Sequence, residues 1–151
     1  MKFFEKIKTS SSTKDAKTIL FVCVENAGRS QMAEGFFKKY APNGFKTLSA
    51  GTKPVSQINP IVVQAMKEVG IDISKQKSKE LIDEMIRESD KVINMGCMDK
   101  SFCPTIWLPK VIEWGMEDPK GQSIEKVREI RDEIEQRVKK LVAEITITTK
   151  R

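Results

Sequence analysis

The chain is predicted to fold as a single-domain α/β protein, with a mainly parallel four-stranded sheet flanked by helices on both faces. Three observations predict this. The run ILFV at 19–22 is continuously apolar, as a strand covered on both faces must be. Strand-like runs recur at 45–50, 90–96 and 111–114, separated by segments whose apolar residues repeat at helical spacing. The length, 151 residues with 39% hydrophobic and 32% charged, suits one domain with a real core.

Residues 1–17 precede this domain. They hold five Lys against Glu5 and Asp15, a local charge of +3 within a total of +6, and with the run TSSST they read as a basic, solvated tail. Such a tail could touch nucleic acid, but no aromatic-basic interleaving or recognition motif follows, so nucleic acid is not an expected partner. No apolar run approaches membrane-spanning length, and the N-terminus lacks the apolar core of a secretory signal. A cytoplasmic monomer without a membrane partner is expected.

The domain itself is expected to span 18–145. After ILFV, Ser30 can cap a helix whose stripe includes Met32, Ala33, Phe36, Phe37 and Tyr40. Pro42, Asn43 and Gly44 end it. FKTLSA at 45–50 reads as the second strand, broken by Gly51. Asn59 and Pro60 open the next helix as cap and first-turn residue, and Gly70 stops it. A further helix is expected from Ser78 to Glu88, a strand in DKVINMG at 90–96, irregular chain over 97–110, and a short strand in VIEW at 111–114, with Trp114 in the core. A long helix runs from Gly121 to Ile145, with a frayed end at 146–151.

Ligands of such sheets bind beyond the carboxyl ends of the strands. Cys23, the 97–110 loop and the segment after Trp114 all belong to those ends. The chain contains no histidine, which excludes Cys-His and Ser-His catalysis. It also leaves a tetrahedral zinc site short of a ligand unless a carboxylate joins, and no metal is expected. The three cysteines, Cys23, Cys97 and Cys103, are odd in number, which argues against a structural disulfide framework.

CVENAGRS at 23–30 is a Cys-x5-Arg-Ser motif set between a strand and a helix. A loop in that position presents backbone N–H groups inward as an anion nest, reinforced by the helix dipole. Val24, Glu25, Asn26, Ala27, Gly28 and Ser30 form the nest, and Arg29 adds a planar fork for two oxyanion oxygens. The positive field favours a thiolate at Cys23, and Ser30 can donate to its sulfur. The motif binds an oxyanion and attacks its central atom. It is not a nucleotide-binding P-loop, because no Gly-Lys-Ser/Thr follows. A carboxylate in such a loop is unfavourable if it points inward, so Glu25 is expected to point outward. Asp118 in GMEDPKG suits a turn and equally a general acid that protonates a leaving oxygen, with Glu117 as a possible substitute.

CVENAGRSQMAEGFF, with LSAGT, VGIDIS and WGMEDPKG further along, resembles the low-molecular-weight protein tyrosine phosphatase superfamily from about Thr18 to about Leu141. Within it, RSQMAEG resembles the thioredoxin-coupled arsenate reductases more than the tyrosine phosphatases, which usually have proline where Gln31 stands. The resemblance implies arsenate as the oxyanion, Cys23 as nucleophile, Asn26 as a residue holding the loop, and Asp118 as the acid. It further implies that Cys97 and Cys103, in GCMDKSFCP, are the resolving pair. Cys97 attacks Cys23, Cys103 attacks Cys97, and the redox-active Cys97–Cys103 disulfide is reduced by thioredoxin, with no other cofactor. In a regular helix the Cα atoms of these two cysteines would stand about 9 Å apart. A disulfide needs roughly 7 Å or less, so the segment must loop or unwind. Two alternatives remain: a phosphatase forming a phosphocysteine on the same Cys23, and a non-enzymatic oxyanion sensor.

Overall fold

The structure is a computed structural model that describes residues 17–96 and 109–150. Four strands, β1 (Lys17–Cys23), β2 (Phe45–Gly51), β3 (Lys91–Asn94) and β4 (Val111–Glu113), form one sheet in the order β2-β1-β3-β4. Every pairing is parallel. Four helices accompany them: α1 (Arg29–Tyr40), α2 (Pro60–Glu68), α3 (Asp83–Glu88) and α4 (Ile124–Lys150). Lys17, placed with the tail on sequence grounds, already pairs with Phe45. Residues 1–16, Cys97 and Cys103 lie outside the described residues.

β1 is central because all of Ile19–Val22 is fully buried. Alternation sends successive side chains to opposite faces. Ile19 and Phe21 join a core with α1, α2 and α4, through residues such as Met32, Phe36, Met66, Val127 and Ile134. Trp114 belongs to this core, 6.0 Å from the Phe21 ring. Leu20 and Val22 face the other way, onto Ile86 of α3, with Leu81 and Met85 beside it. Burying each such aliphatic or aromatic side chain is worth about 1.5–3 kcal/mol.

The strand order also locates the crevice. The chain leaves β1 for β2 on one side, then crosses back to β3 on the other. The connections diverge at the carboxyl ends of β1 and β3, where open parallel sheets hold ligands. Cys23 is the last residue of β1.

Three local expectations are corrected. The helix expected from Ser78 begins at Asp83. Residues 78–81 are instead held alongside the end of β2: Gly51 N–H donates to Lys79 O (2.8 Å), Leu81 N–H donates to Gly51 O (2.8 Å), and Gly51 and Glu80 form a parallel bridge. Ser30 is not a helix cap. α1 begins at Arg29 with Gly28 at the capping position and no side-chain cap, because the Ser30 hydroxyl is engaged elsewhere. The last helix runs to Lys150, past the end expected at Ile145. Its buried stripe continues through Leu141 and Ile145, and the Thr146 hydroxyl donates back to Val142 O (2.6 Å), one turn earlier in the helix. The α2 cap is as the sequence predicts: Asn59 Oδ1 accepts from Ile61 N–H at 3.0 Å, with Pro60 in the first turn.

Among the described residues, no helix is long and apolar enough to cross a membrane.

Candidate active site

The loop after β1 is turned so that its carbonyls all face away from the cavity. Cys23 O accepts from Thr52 N–H, Val24 O from Lys53 N–H, Glu25 O from Val55 N–H, Ala27 O from Asn59 N–H, and Gly28 O from Met32 N–H. Asn26 O accepts from Gln31 Nε2 at 2.9 Å, and the Ser78 hydroxyl adds a second bond to Glu25 O at 2.8 Å. A trans peptide points its N–H opposite to its C=O. The N–H groups of Val24 to Arg29 are therefore left facing inward, a concave array of partial positive charge at a helix N-terminus.

Asn26 makes the turn possible. It has φ 51°, a left-handed conformation that asparagine tolerates better than most residues. Its side chain is fully buried. Oδ1 accepts from Lys79 N–H at 2.8 Å, and Nδ2 donates to Ser30 Oγ at 2.7 Å. Gly51 lets β2 come this close, because a Cβ there would stand 2.4 Å from Val24 O and 2.8 Å from Asn26 N.

Cys23 is 3% exposed, and its sulfur lies 2.7 Å from Ser30 Oγ. Arg29 is buried as well. Its Nη1 donates to Met95 O (3.0 Å) and Met116 O (2.9 Å), which ties it to the chain after β3 and after β4. Nε and Nη2 remain as the edge available to an oxyanion, and Nη2 stands 3.6 Å from Asp118 Oδ2. Asp118 serves the turn too, since Oδ1 accepts from Lys120 N–H at 3.0 Å. Cys23, Arg29 and Asp118 line a cavity of about 160 Å³, with Glu25, Asn59 and Lys120 among the other walls. A larger cavity of about 410 Å³ lies at the opposite ends of the strands, near Lys17, Asp90 and Leu141, and no cysteine lines it.

Glu25 and Glu117 are each paired. Glu25 Oε2 accepts from Lys120 Nζ at 2.7 Å, at the rim of the cavity. The hydrogen bond to Glu25 and its charge hold the Lys120 ammonium above the usual lysine range, with Asp118 adding to the effect. Glu117, considered as a substitute acid, instead pairs with Lys126 at 3.0 Å and does not line the cavity.

The structure thus brings together Cys23, Arg29, Asp118 and the whole 24–30 loop. Cys97 follows directly on Gly96, whose neighbour Met95 is bonded to Arg29. Sequence reasoning did not assign the supporting residues Gln31, Ser78, Lys79 and Lys120. Gln31 carried a signal. It stands directly before the apolar stripe that opens at Met32, and it is fully buried, bonded to Asn26 O, Lys77 O and Gln76. Among the described residues, no group of three or more His, Cys, Asp or Glu side chains converges.

A parallel sheet with a Cys-x5-Arg loop between its first strand and first helix defines a known class: the family model for low molecular weight phosphotyrosine protein phosphatase matches residues 18–151, and the chain belongs to that family. Its relatives narrow the comparison. The chain is 41% identical over 125 residues to an arsenate reductase of Brevibacillus brevis, covering 82% of this chain and 92% of the relative. A solved arsenate reductase in the phosphate-binding state superposes with a TM-score of 0.77 at 37% identity, covering 85% of this chain and 98% of that one. A thioredoxin-dependent arsenate reductase of Corynebacterium glutamicum superposes with a TM-score of 0.75 at 34% identity, covering 96% of this chain and 73% of that one.

Proposed function

We propose that the protein reduces arsenate to arsenite and is returned to its reduced form by thioredoxin. The observation that carries the reading is the loop whose carbonyls all face outward, leaving its N–H groups around the buried Cys23 sulfur. The names of the relatives at 34–41% identity support arsenate as the oxyanion.

In this reading arsenate enters the nest of N–H groups with two oxygens on the Nε–Nη2 edge of Arg29. The Cys23 thiolate attacks arsenic. One oxygen leaves as water, with Asp118 supplying a proton. The Cys97 thiolate then attacks the Cys23 sulfur, and the S–As electron pair passes to arsenic, which departs as arsenite. A Cys23–Cys97 disulfide remains. Cys103 attacks Cys97 and frees Cys23. Thioredoxin reduces the Cys97–Cys103 disulfide, supplying the two electrons that arsenic has taken.

A second reading is hydrolysis of phosphomonoesters through a phosphocysteine on Cys23. The position of Asp118, 3.6 Å from Arg29 on the same cavity wall, favours keeping it, because an ester oxygen needs such a proton donor. The test is to assay thioredoxin-coupled arsenate reduction and aryl-phosphate hydrolysis on one preparation. Arsenate turnover that stops without thioredoxin supports the first reading. Ester hydrolysis without any arsenate turnover replaces it with the second.

A further inference from the structure

Two charged side chains at the cavity rim have no part in the reaction described above. Glu25 stands two residues after the nucleophile, and Lys120 stands two residues after the acid. Their side chains meet at 2.7 Å, joining the anion loop to the acid turn. We propose that the Glu25–Lys120 ion pair is a strap across the mouth of the cavity that makes the site select unsubstituted tetrahedral oxyanions over their esters. The proposal rests on the reading of Cys23 as a nucleophile toward an oxyanion.

The two loops already touch behind the pair. Pro119 lies against Gly28 so closely that a Cβ at Gly28 would stand 2.8 Å from Pro119 Cγ. The ion pair adds a second junction, and both of its residues line the cavity. Attack by sulfur places the leaving oxygen opposite Cys23, on the side of Asp118. In a free oxyanion nothing extends beyond that oxygen. In an ester it carries a carbon substituent that must project outward between the same two loops. The ester has to part Glu25 from Lys120, and the free oxyanion does not.

Charge explains why the pair acts as a unit. A lone carboxylate beside an anion site repels its ligand, and Lys120 cancels that repulsion while closing the mouth. Lys120 is 67% exposed and Glu25 31%, so the pair is screened and weak. The strap therefore discriminates severalfold and does not exclude esters outright.

The test uses the full-length protein and three variants: Lys120→Met, the double variant Glu25→Gln with Lys120→Met, and Lys120→Arg. The double variant removes the strap without changing net charge. Two quantities are measured for each: kcat/KM for hydrolysis of p-nitrophenyl phosphate, and the association constant of inorganic phosphate by calorimetry. The ratio of the first to the second is expected to rise about fivefold in Lys120→Met and in the double variant, the scale set by a weak exposed pair. It should stay near wild type in Lys120→Arg, which keeps the pair. A ratio within twofold of wild type in the double variant overturns the strap. So does an equal rise in Lys120→Arg, or a double variant that binds phosphate without detectable hydrolysis. Wild-type protein that binds no phosphate overturns the oxyanion reading itself, a separate result.

Discussion

The Ser30 hydroxyl stands 2.7 Å from the Cys23 sulfur and 2.7 Å from Asn26 Nδ2. An amide nitrogen only donates, so the hydroxyl oxygen accepts from Asn26 and its own proton is free for the sulfur. The chain of bonds is anchored at its far end, where Asn26 Oδ1 accepts from Lys79 N–H. Ser30 is thereby placed to donate to a Cys23 thiolate.

Ser30→Ala removes that donor and also takes away the acceptor of the buried Asn26 Nδ2. Hydrogen bonds to charged groups are worth about 1.5–3 kcal/mol. Alkylation of Cys23 by iodoacetamide at neutral pH should slow by roughly tenfold or more on that scale. The circular dichroism spectrum should be that of wild type. Alkylation at the wild-type rate would remove Ser30 from any role in preparing the nucleophile.

Gly51→Ala tests how the loop is held. The added methyl would meet Val24 O at 2.4 Å and Asn26 N at 2.8 Å, both backbone atoms that cannot swing aside. Overpacking of this kind costs about 1–3 kcal/mol. The melting temperature should fall, and phosphate affinity should fall with it, because Val24 and Asn26 carry the N–H array. A stable protein with wild-type phosphate affinity would show that the end of β2 does not set the loop geometry.

Asp118→Asn separates acid from positioning residue. Asparagine keeps the oxygen that accepts from Lys120 N–H, so the turn is preserved, but it has no proton to give. Turnover should fall by about 10²-fold or more, within the usual range for general acids. Phosphate should bind no more weakly than to wild type, since a negative charge near Arg29 has been removed. Loss of phosphate binding would instead assign Asp118 to holding Arg29 in place.

The parts of the fold visible in the sequence are those with local causes. ILFV reads as a two-sided strand because four consecutive apolar residues need cover on both faces, and Asn59-Pro60 reads as a helix start because cap and ring act within one turn. That Cys23 and Arg29 share one cavity was legible because their spacing sets both in a single strand-to-helix loop. The parts that were not legible depend on distant partners. Residues 78–81 carry a helix-compatible sequence, yet the end of β2 holds them through both Gly51 hydrogen bonds, and from there Ser78 and Lys79 brace the anion loop. Ser30 is a good cap by type, but the sulfur and Asn26 compete for its hydroxyl. Lys120 had no local signal at all, since its partner Glu25 lies 95 residues earlier.

Cys97→Ser separates the two enzymatic readings. Under the reductase reading, a serine hydroxyl cannot attack the Cys23 sulfur, so the arsenylated enzyme is not resolved and catalytic arsenate reduction stops. Hydrolysis of an aryl phosphate requires water in place of a second thiol, so any ester turnover of the wild type should persist. Cys103→Ser should proceed one step further and halt at a Cys23–Cys97 disulfide. Wild-type protein given arsenate without thioredoxin should lose two thiols in a thiol titration, and peptide mapping should place the new disulfide between Cys97 and Cys103. That count follows from the electron balance, because one arsenate takes two electrons and one disulfide supplies them. Catalytic reduction by Cys97→Ser at the wild-type rate would rule out the thiol relay, and strong ester hydrolysis by the same variant would then assign the site to phosphomonoesters.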